Sequence, residues 1–318
     1  MALDSILVSF CIPAFNCSDY IHQTLTSICR QTHANLEIVI VNDGSTDDTA
    51  DKISKIDDHR IKLIQSKNLG AANARNTAFE NSSGKYIIFF DADDIIAPNF
   101  VEKQLQWMDS CNNNVVLSGW GRFYADDIKT FVAEEIPEGG IYFEAWINDY
   151  WYNCNPMTTP GRIMIPRNII DESGRWDSEL TLNDDLEFFT RVFLQAEKIV
   201  FNPSAMFYYR SGINGLSGKK GSKAYYSLYV SIVKSVDDVL TAFPDHPKIK
   251  QSCANMLQSG IYEIYPSERH LIKKMELKIK ILGGSELKPN AGGITKYLNH
   301  IFGWKLVRVV KRFLKLEN

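Results

Sequence analysis

The chain has few of the features that assign a function quickly. Six cysteines (Cys11, Cys17, Cys29, Cys111, Cys154, Cys253) are scattered over 318 residues, with no Cys-x-x-Cys pair and no metal-ligand spacing. That removes a thiolate metal site and a disulfide framework, and predicts a reducing compartment. No run reaches the roughly 18 apolar residues of a membrane span, so no transmembrane helix is expected. Met1-Ala-Leu-Asp-Ser5 lacks a basic segment, and Pro13 and Asn16 interrupt the apolar stretch behind it, which argues against a signal peptide. A cytoplasmic location is therefore expected. No Gly-x-Gly-x-x-Gly follows the first apolar run, which counts against dinucleotide binding. No internal repeat is visible, and no nucleic-acid partner is expected.

Net charge is small, but the charges are unevenly placed. The net charge of −3 combines a basic end and an acidic body. From His270 to Asn318 there are 11 Lys and Arg against 3 Glu, a balance of +8 that leaves −11 on the rest. A basic tail on an acidic body points to an anionic surface as the partner of the tail. The 45% hydrophobic and 12% aromatic content is enough for a full core.

Short apolar runs alternate with helical patterns through the first third. Ile6–Ile12, Leu36–Val41, Arg60–Gln65 and Lys85–Phe90 read as strands. Between them lie a helix with Ile21, Leu25 and Ile28 on one face, capped by Ser18 or Asp19, a helix through Ile53 and Ile56 capped by Thr46 or Asp47, and an Ala-rich helix beyond Gly70. This alternation predicts an α/β fold: a mostly parallel, doubly wound sheet with helices on both faces. Beyond Val115 the pattern loosens. Strands are expected at 115–124, 163–166, 198–201 and 205–209, and a helix with an acidic first turn at 184–194. The Gly212–Gly221 segment reads as a loop, and the chain from Lys223 as helical.

Lys85-Tyr-Ile-Ile-Phe-Phe-Asp-Ala-Asp-Asp94 is the most informative stretch, because a buried strand runs straight into three carboxylates. Open α/β sheets bind ligands at the carboxyl ends of their strands. Carboxylates held there invite a hard divalent cation carrying substrate phosphates. The plain structural alternative is that Asp93 and Asp94 cap the next helix. Asp43 ends the second strand and belongs at the same sheet edge, unless Asn42-Asp-Gly-Ser45 is only an Asx turn. Arg75 stands in the first turns of the Ala-rich helix, either near that edge or on a solvated face. An acceptor and a donor there would match the N–H and carbonyl of a uracil or thymine ring.

Four motifs occur in order: Cys11-Ile-Pro-Ala-Phe-Asn16, Val41-Asn-Asp-Gly-Ser-Thr-Asp47, Asn68-Leu-Gly-Ala-Ala-Asn-Ala-Arg-Asn76 and Phe90-Asp-Ala-Asp-Asp94. Together they resemble the family 2 inverting glycosyltransferases of bacterial surface-polysaccharide type, which have the GT-A fold. The resemblance spans roughly residues 5–215. It implies a GT-A domain over 1–215, with a nucleotide-sugar half to about 115 and an acceptor half from about 116, followed by a helical region over 216–318. By position it implies that Pro13 lines the nucleotide pocket, Asp43 and Arg75 meet the pyrimidine, Asp91 meets the ribose, and Asp93 ligates Mn²⁺ or Mg²⁺. Gly174-Arg-Trp-Asp177 and Asn183-Asp-Asp-Leu-Glu187, with Arg191 beyond, resemble the family's acceptor motifs. There Asp185 matches the catalytic base, and Asp184 replaces the usual Glu. The plain alternative is that Asp184, Asp185 and Glu187 merely complement a helix dipole. Arg210, Lys219 and Lys220 are candidates for diphosphate contact.

The expected reaction moves one sugar from a nucleotide-sugar, most readily a UDP-sugar, to a hydroxyl of a glycan or lipid-linked acceptor in cell-surface polysaccharide synthesis. The Gln-x-x-Arg-Trp signature of processive synthases is absent. A nucleotidyltransferase, or a non-catalytic glycan- or partner-binding protein that keeps the fold, remains an alternative. The tail, Gly303–Leu316, places Lys305, Arg308, Arg312 and Lys315 in one stripe away from Trp304, Val307, Val310 and Phe313. It reads either as an amphipathic anchor on the inner membrane face or as a helix docked on the body or in a dimer.

Overall fold

Strands whose both faces are covered need near-continuous apolar sequence, and that is what the first strands have. The computed structural model describes residues 3–108, 113–124, 126–156, 158–213, 220–289 and 293–313. In chain order it begins β1 (Val8–Ala14), α1 (Ile21–Cys29), β2 (Leu36–Asp43), α2 (Thr49–Ser54), β3 (Ile61–Ser66), α3 (Ala71–Glu80) and β4 (Tyr86–Phe89). The four strands pair parallel in the order β3-β2-β1-β4. Their registers bring Ala14 beside Asn42, Asp43 beside Ser66, and Cys11 beside Phe89, so all four strands end at one edge. Val8, Phe10, Ile12, Ile38 and Ile40 are fully buried.

The chain continues through β5 (Ile95–Ile96), α4 (Phe100–Leu105), β6 (Val115–Tyr124), β7 (Asp127–Glu134), β8 (Gly139–Ile141), α5 (Phe143–Trp146), β9 (Ile163–Pro166), α6 (Arg167–Ser173), α7 (Asp184–Gln195) and β10 (Ile199–Ser211). The sheet extends from β4 through β9, β6, β10 and β5, with β7 on β6 and β8 on β10. This second half is mixed: β6 and β10 are parallel, while β9, β5, β7 and β8 run antiparallel to their neighbours. The two strands expected at 198–201 and 205–209 are one strand, β10. Its register slips between Asn202 and Met206, where Pro203 has no N–H to give and Asn202 Oδ1 takes the Ser204 N–H instead.

Two adjacent phenylalanines tie the sheet to what lies on either side of it. Phe90 sits edge-on to Phe10 at 5.7 Å and Phe207 at 5.8 Å. Phe89, on the other face, meets Trp176 at 5.3 Å and Phe188 at 5.4 Å. Trp176 in turn lies flat on Phe188, 4.1 Å between centroids.

The structure divides into two units, Met1–Phe143 with Thr158–Gly218, and Glu144–Met157 with Lys219–Asn318. The second unit is helical: α8 (Ser222–Ala242), α9 (Pro247–Ile264), α10 (Arg269–Ile281), α11 (Gly293–Phe302) and α12 (Trp304–Phe313). α9 packs against α8 and α10, and Ile232, Val236, Cys253, Leu257 and Met275 on these helices are buried. Gly260 allows the close approach, because a Cβ there would stand 2.7 Å from Ile232 Cδ1. His246 caps α9, its Nδ1 accepting from the Ile249 N–H at 3.3 Å.

Candidate active site

The expected helix caps do not form where the sequence suggests them. α1 begins after Tyr20 without a side-chain cap, so neither Ser18 nor Asp19 serves. α4 begins after Asn99, again without one, so Asp93 and Asp94 do not cap it. Asp47 does bond at the start of α2, taking the Thr49 N–H at 3.1 Å. The acidic residues after β4 therefore stand at the sheet edge for another reason.

Asp43, at the end of β2, is buried and accepts from the backbone N–H groups of Leu69 (2.9 Å) and Gly70 (2.8 Å). The Asx-type bond in this turn belongs to Asn42, whose Oδ1 takes the Ser45 N–H at 3.3 Å. Gly44 follows at φ +73°, and a Cβ there would lie 2.9 Å from Asn68 N, so the β2 turn and the segment leading into α3 fit only with glycine. Pro13 is half-buried near the end of β1, beside Val41.

Arg75 is buried, not on a solvated face. Its Nη2 donates to Asp91 Oδ1 at 2.8 Å and its Nη1 to Asp184 Oδ2 at 2.9 Å. The guanidinium lies 4.4 Å over the Trp176 ring. The next residue, Asn76, exchanges two hydrogen bonds with the Trp176 backbone, at 2.9 and 3.0 Å. One turn of α3 thus joins the loop after β4 to the start of α7. The guanidinium has carboxylate partners rather than an open face toward Asp43.

Asp185 stands beside this ion pair, close enough to feel the Arg75 charge but without a hydrogen bond from the guanidinium. It accepts from Thr158 Oγ at 3.3 Å and from the Leu186 N–H at 2.9 Å. Burial and the neighbouring Asp184 charge raise it to about 6. Glu187, by contrast, is paired in two places with Arg191, whose guanidinium also reaches the carbonyls of Ser173 and Arg175 and ties α7 to the end of α6.

Asp91, Asp93 and Asp94 form a cluster short of positive charge. Burial and the Asp91 charge raise Asp93 to about 6. Asp94 is raised well above the carboxylate range by burial and by Asp93. Its Oδ1 accepts from the Arg210 N–H at 2.8 Å, while its buried Oδ2 has no hydrogen-bond partner. Arg210, a candidate for diphosphate contact, is buried in β10 and already engaged by protein groups, so it is not a surface-loop residue. Its Nε donates to the Asp93 carbonyl, Nη2 to Gln23 Oε1 at 2.6 Å and Nη1 to Asp126. Tyr20 and Phe123 lie on its guanidinium at 4.9 and 4.6 Å. Lys219 lies outside the described residues, and Lys220 is exposed.

The residues present fit a hard divalent cation in part. Unpaired carboxylate oxygens with raised affinity for protons are what such an ion would satisfy. Among the described residues no three His, Cys, Asp or Glu side chains form a closed cage.

Sequence reasoning missed Thr158, Gln23 and Asp126. None stands in a motif, and each reaches the site across a long stretch of chain. Trp176 had a signal, its place between Gly174 and Asp177, but not its role under Arg75.

Comparison with known proteins agrees with this architecture. The chain is 28% identical to an uncharacterized glycosyltransferase of Haemophilus influenzae, over 93% of this chain and 97% of that one. It is 40% identical over 165 residues to the Escherichia coli protein UDP-Glc:alpha-D-GlcNAc-diphosphoundecaprenol beta-1,3-glucosyltransferase WfgD, covering 52% of this chain and 64% of WfgD. Another match, to an uncharacterized glycosyltransferase of Rickettsia bellii, spans only 16% of that protein. The S. aureus TarS 1–349 structure in complex with UDP-GlcNAc superposes with a TM-score of 0.67 at 18% identity, over 87% of this chain and 81% of that chain. Residues 9–214 match the family described as Glycosyl transferase family 2. The chain, an α/β protein of the GT-A kind and a transferase, therefore belongs to glycosyltransferase family 2.

Proposed function

We propose that the protein is a divalent-metal-dependent, inverting glycosyltransferase that moves one sugar from a UDP-sugar to a hydroxyl of a lipid-linked glycan acceptor, in bacterial cell-surface polysaccharide synthesis. Family membership sets aside a nucleotidyltransferase. The WfgD match supports the donor and acceptor classes, since that relative's name pairs a UDP-sugar with a diphosphoundecaprenol-linked acceptor.

The observation that carries the mechanism is the unequal fate of two adjacent carboxylates. Asp184 is bound to Arg75, and Asp185 is not. A general base near pH 7 works best with a raised pKa, and Asp185 has one, because burial and the Asp184 charge outweigh the pull of Arg75. It would take the proton from the acceptor hydroxyl as the hydroxyl attacks the anomeric carbon. The bond to the nucleotide diphosphate breaks in the same displacement, which inverts that carbon and needs no covalent intermediate. Thr158 and the Leu186 N–H hold the base in place, so its orientation is set before the acceptor arrives.

Asp43 and Pro13 would line the nucleotide pocket, and Asp91 would meet the ribose. Each Asp43 oxygen has one backbone partner and so keeps a second lone pair for a pyrimidine N–H. Arg75 acts by holding Asp91 and Asp184 a fixed distance apart. Asp93 is the metal ligand. A bound Mn²⁺ or Mg²⁺ would neutralise charge developing on the leaving diphosphate. The location that follows is peripheral, on the cytoplasmic face of a membrane. No helix among the described residues is long and apolar enough to cross one.

The first test is calorimetric titration with UDP, GDP and dTDP, with and without Mn²⁺, followed by transfer assays with UDP-sugars and a diphosphate-lipid acceptor. UDP-selective, Mn²⁺-dependent binding and a product of inverted anomeric configuration are expected. Retention of configuration, or full turnover in excess chelator, would overturn the mechanism. No binding of any nucleotide would move the chain to the non-catalytic reading.

A further inference from the structure

α11 and α12, joined at Gly303, leave a band of large apolar side chains in water. Tyr297, Ile301 and Phe302 on α11 are 74%, 69% and 57% exposed, and Leu306, Val310 and Phe313 on α12 are 52%, 46% and 87% exposed. Eight of the 18 exposed large hydrophobic residues among the described ones fall on these two helices. Single exposed apolar residues need no explanation, but a contiguous band does. The spacing is regular: Leu306, Val310 and Phe313 recur at i, i+4 and i+7, which places them on one helix face.

That face is not the one α12 uses to dock. Docking uses Trp304, edge-on to Tyr262 at 4.7 Å and to Tyr265 at 5.1 Å, and Val307, which is 7% exposed. Lys305 secures the start of the helix through Glu276 at 2.7 Å. α12 is therefore fastened on one side and still apolar on another. The outer side of α10 continues the pattern, with Leu277 and Ile281 62% and 76% exposed among exposed Lys273, Lys274 and Lys280.

The charge around the band selects its occupant. The stretch from His270 onward has a balance of +8. A second copy of the chain would bring the same positive charge against it, which opposes a two-fold contact. A bilayer interface containing anionic lipids does the opposite. Its acyl boundary takes the apolar side chains and its headgroup phosphates take the cations.

We propose that the α11–α12 face, with the outer edge of α10, lies in the interface of an anionic membrane. This deepens the proposed function, on which it rests for the purpose of the contact, a lipid-linked acceptor. The observations that carry it are separate from the reaction.

The test is co-sedimentation of the full chain with phosphatidylglycerol–phosphatidylcholine vesicles and with pure phosphatidylcholine vesicles. The double variant Leu306→Asp, Phe313→Asp alters two exposed positions, so the fold is expected to persist, as far-UV circular dichroism and UDP titration will report. Binding to anionic vesicles is expected, at least about tenfold weaker for the double variant and weakened by 0.5 M salt. Equal binding by parent and variant, or none by the parent, would overturn the proposal. So would a parent dimer in light scattering that becomes a monomer in the variant, since that assigns the face to a second copy. Failure of transfer to every acceptor, with vesicle binding intact, would instead count against the reaction and leave the membrane face standing.

Discussion

Asp185 makes the sharpest claim at the scale of single residues. Replacing it by Asn keeps the shape and the Leu186 N–H bond but removes the base. Turnover is expected to fall by about 10²–10⁴, the usual contribution of general base catalysis, with UDP affinity nearly unchanged. Near-parent turnover would move the base to Asp184. Its pKa, raised from 3.8 to about 6, also fixes two signs. The base must be ionised, so kcat/KM should drop as pH falls through about 6. The folded state favours the protonated form, so that contribution to stability is full below 3.8 and lost as pH rises through 6. Asp185→Asn should therefore raise Tm at pH 7.5 relative to the parent and leave it nearly unchanged at pH 4. Arg75→Gln acts in the opposite direction. It leaves Asp91 and Asp184 without their shared cation, and because both carboxylates are partly exposed the cost is about 1–3 kcal/mol, read in urea unfolding. A variant as stable as the parent would show that the bridge is not what holds α3 to α7.

At the scale of elements, the acidic turn after β4 is held from β10. Arg210 gives its backbone N–H to Asp94 and its guanidinium to the Asp93 carbonyl, Gln23 and Asp126. The strand thus sets the position of a turn 116 residues earlier in the chain. Groups that orient metal ligands typically change metal affinity by about 10–100-fold when removed. Arg210→Met should accordingly weaken Mn²⁺-dependent UDP binding by about that factor, while metal-free UDP binding changes little. An equal loss with and without Mn²⁺ would mean that the strand supports the whole pocket and not the metal end. Asp93 and Asp94 offer a related check. Their ionised forms are costly in the fold without a counter-ion, so Mn²⁺ should raise Tm at pH 7 more than at pH 5, where both carboxyls are protonated to a greater extent.

Across the whole molecule, the proposed catalytic groups lie in the sheet unit and the basic, apolar surface in the helical unit, so the two proposals can be tested separately. Trp304 fastens α12 through two edge-to-face ring contacts, each worth about 0.5–1.5 kcal/mol. Trp304→Ala should speed amide exchange across 304–313 by roughly one to two orders of magnitude, while amides of the α9 core around Cys253 and Leu257 stay protected. Unchanged exchange in 304–313 would mean that Val307 and Lys305 suffice to hold the helix. Of the tail's expected basic stripe, Lys315 lies outside the described residues. Docking uses one side of this helix, through Trp304 and Val307, and leaves the side proposed for the membrane uncovered.

Local chemistry along the chain was enough to determine a good deal. Alternating apolar runs and helical patterns carried the parallel half of the sheet, because a strand buried on both faces must be apolar throughout. Asp43, Asp91 and Asp93 stood out as candidates because carboxylates follow directly on buried apolar runs, whereas Asp185, in the first turn of α7, stood out only through the resemblance. What only the tertiary structure decided was pairing. That Arg75 spans Asp91 and Asp184, that Arg210 is buried under the acidic turn, and that Thr158 bonds Asp185 all depend on contacts between residues 16 to 117 positions apart. Sequence patterns report which face a side chain takes on its own element. They do not report which charged partner waits on another, and in a buried site it is the partner that decides whether a charge is held, relieved or left free to react.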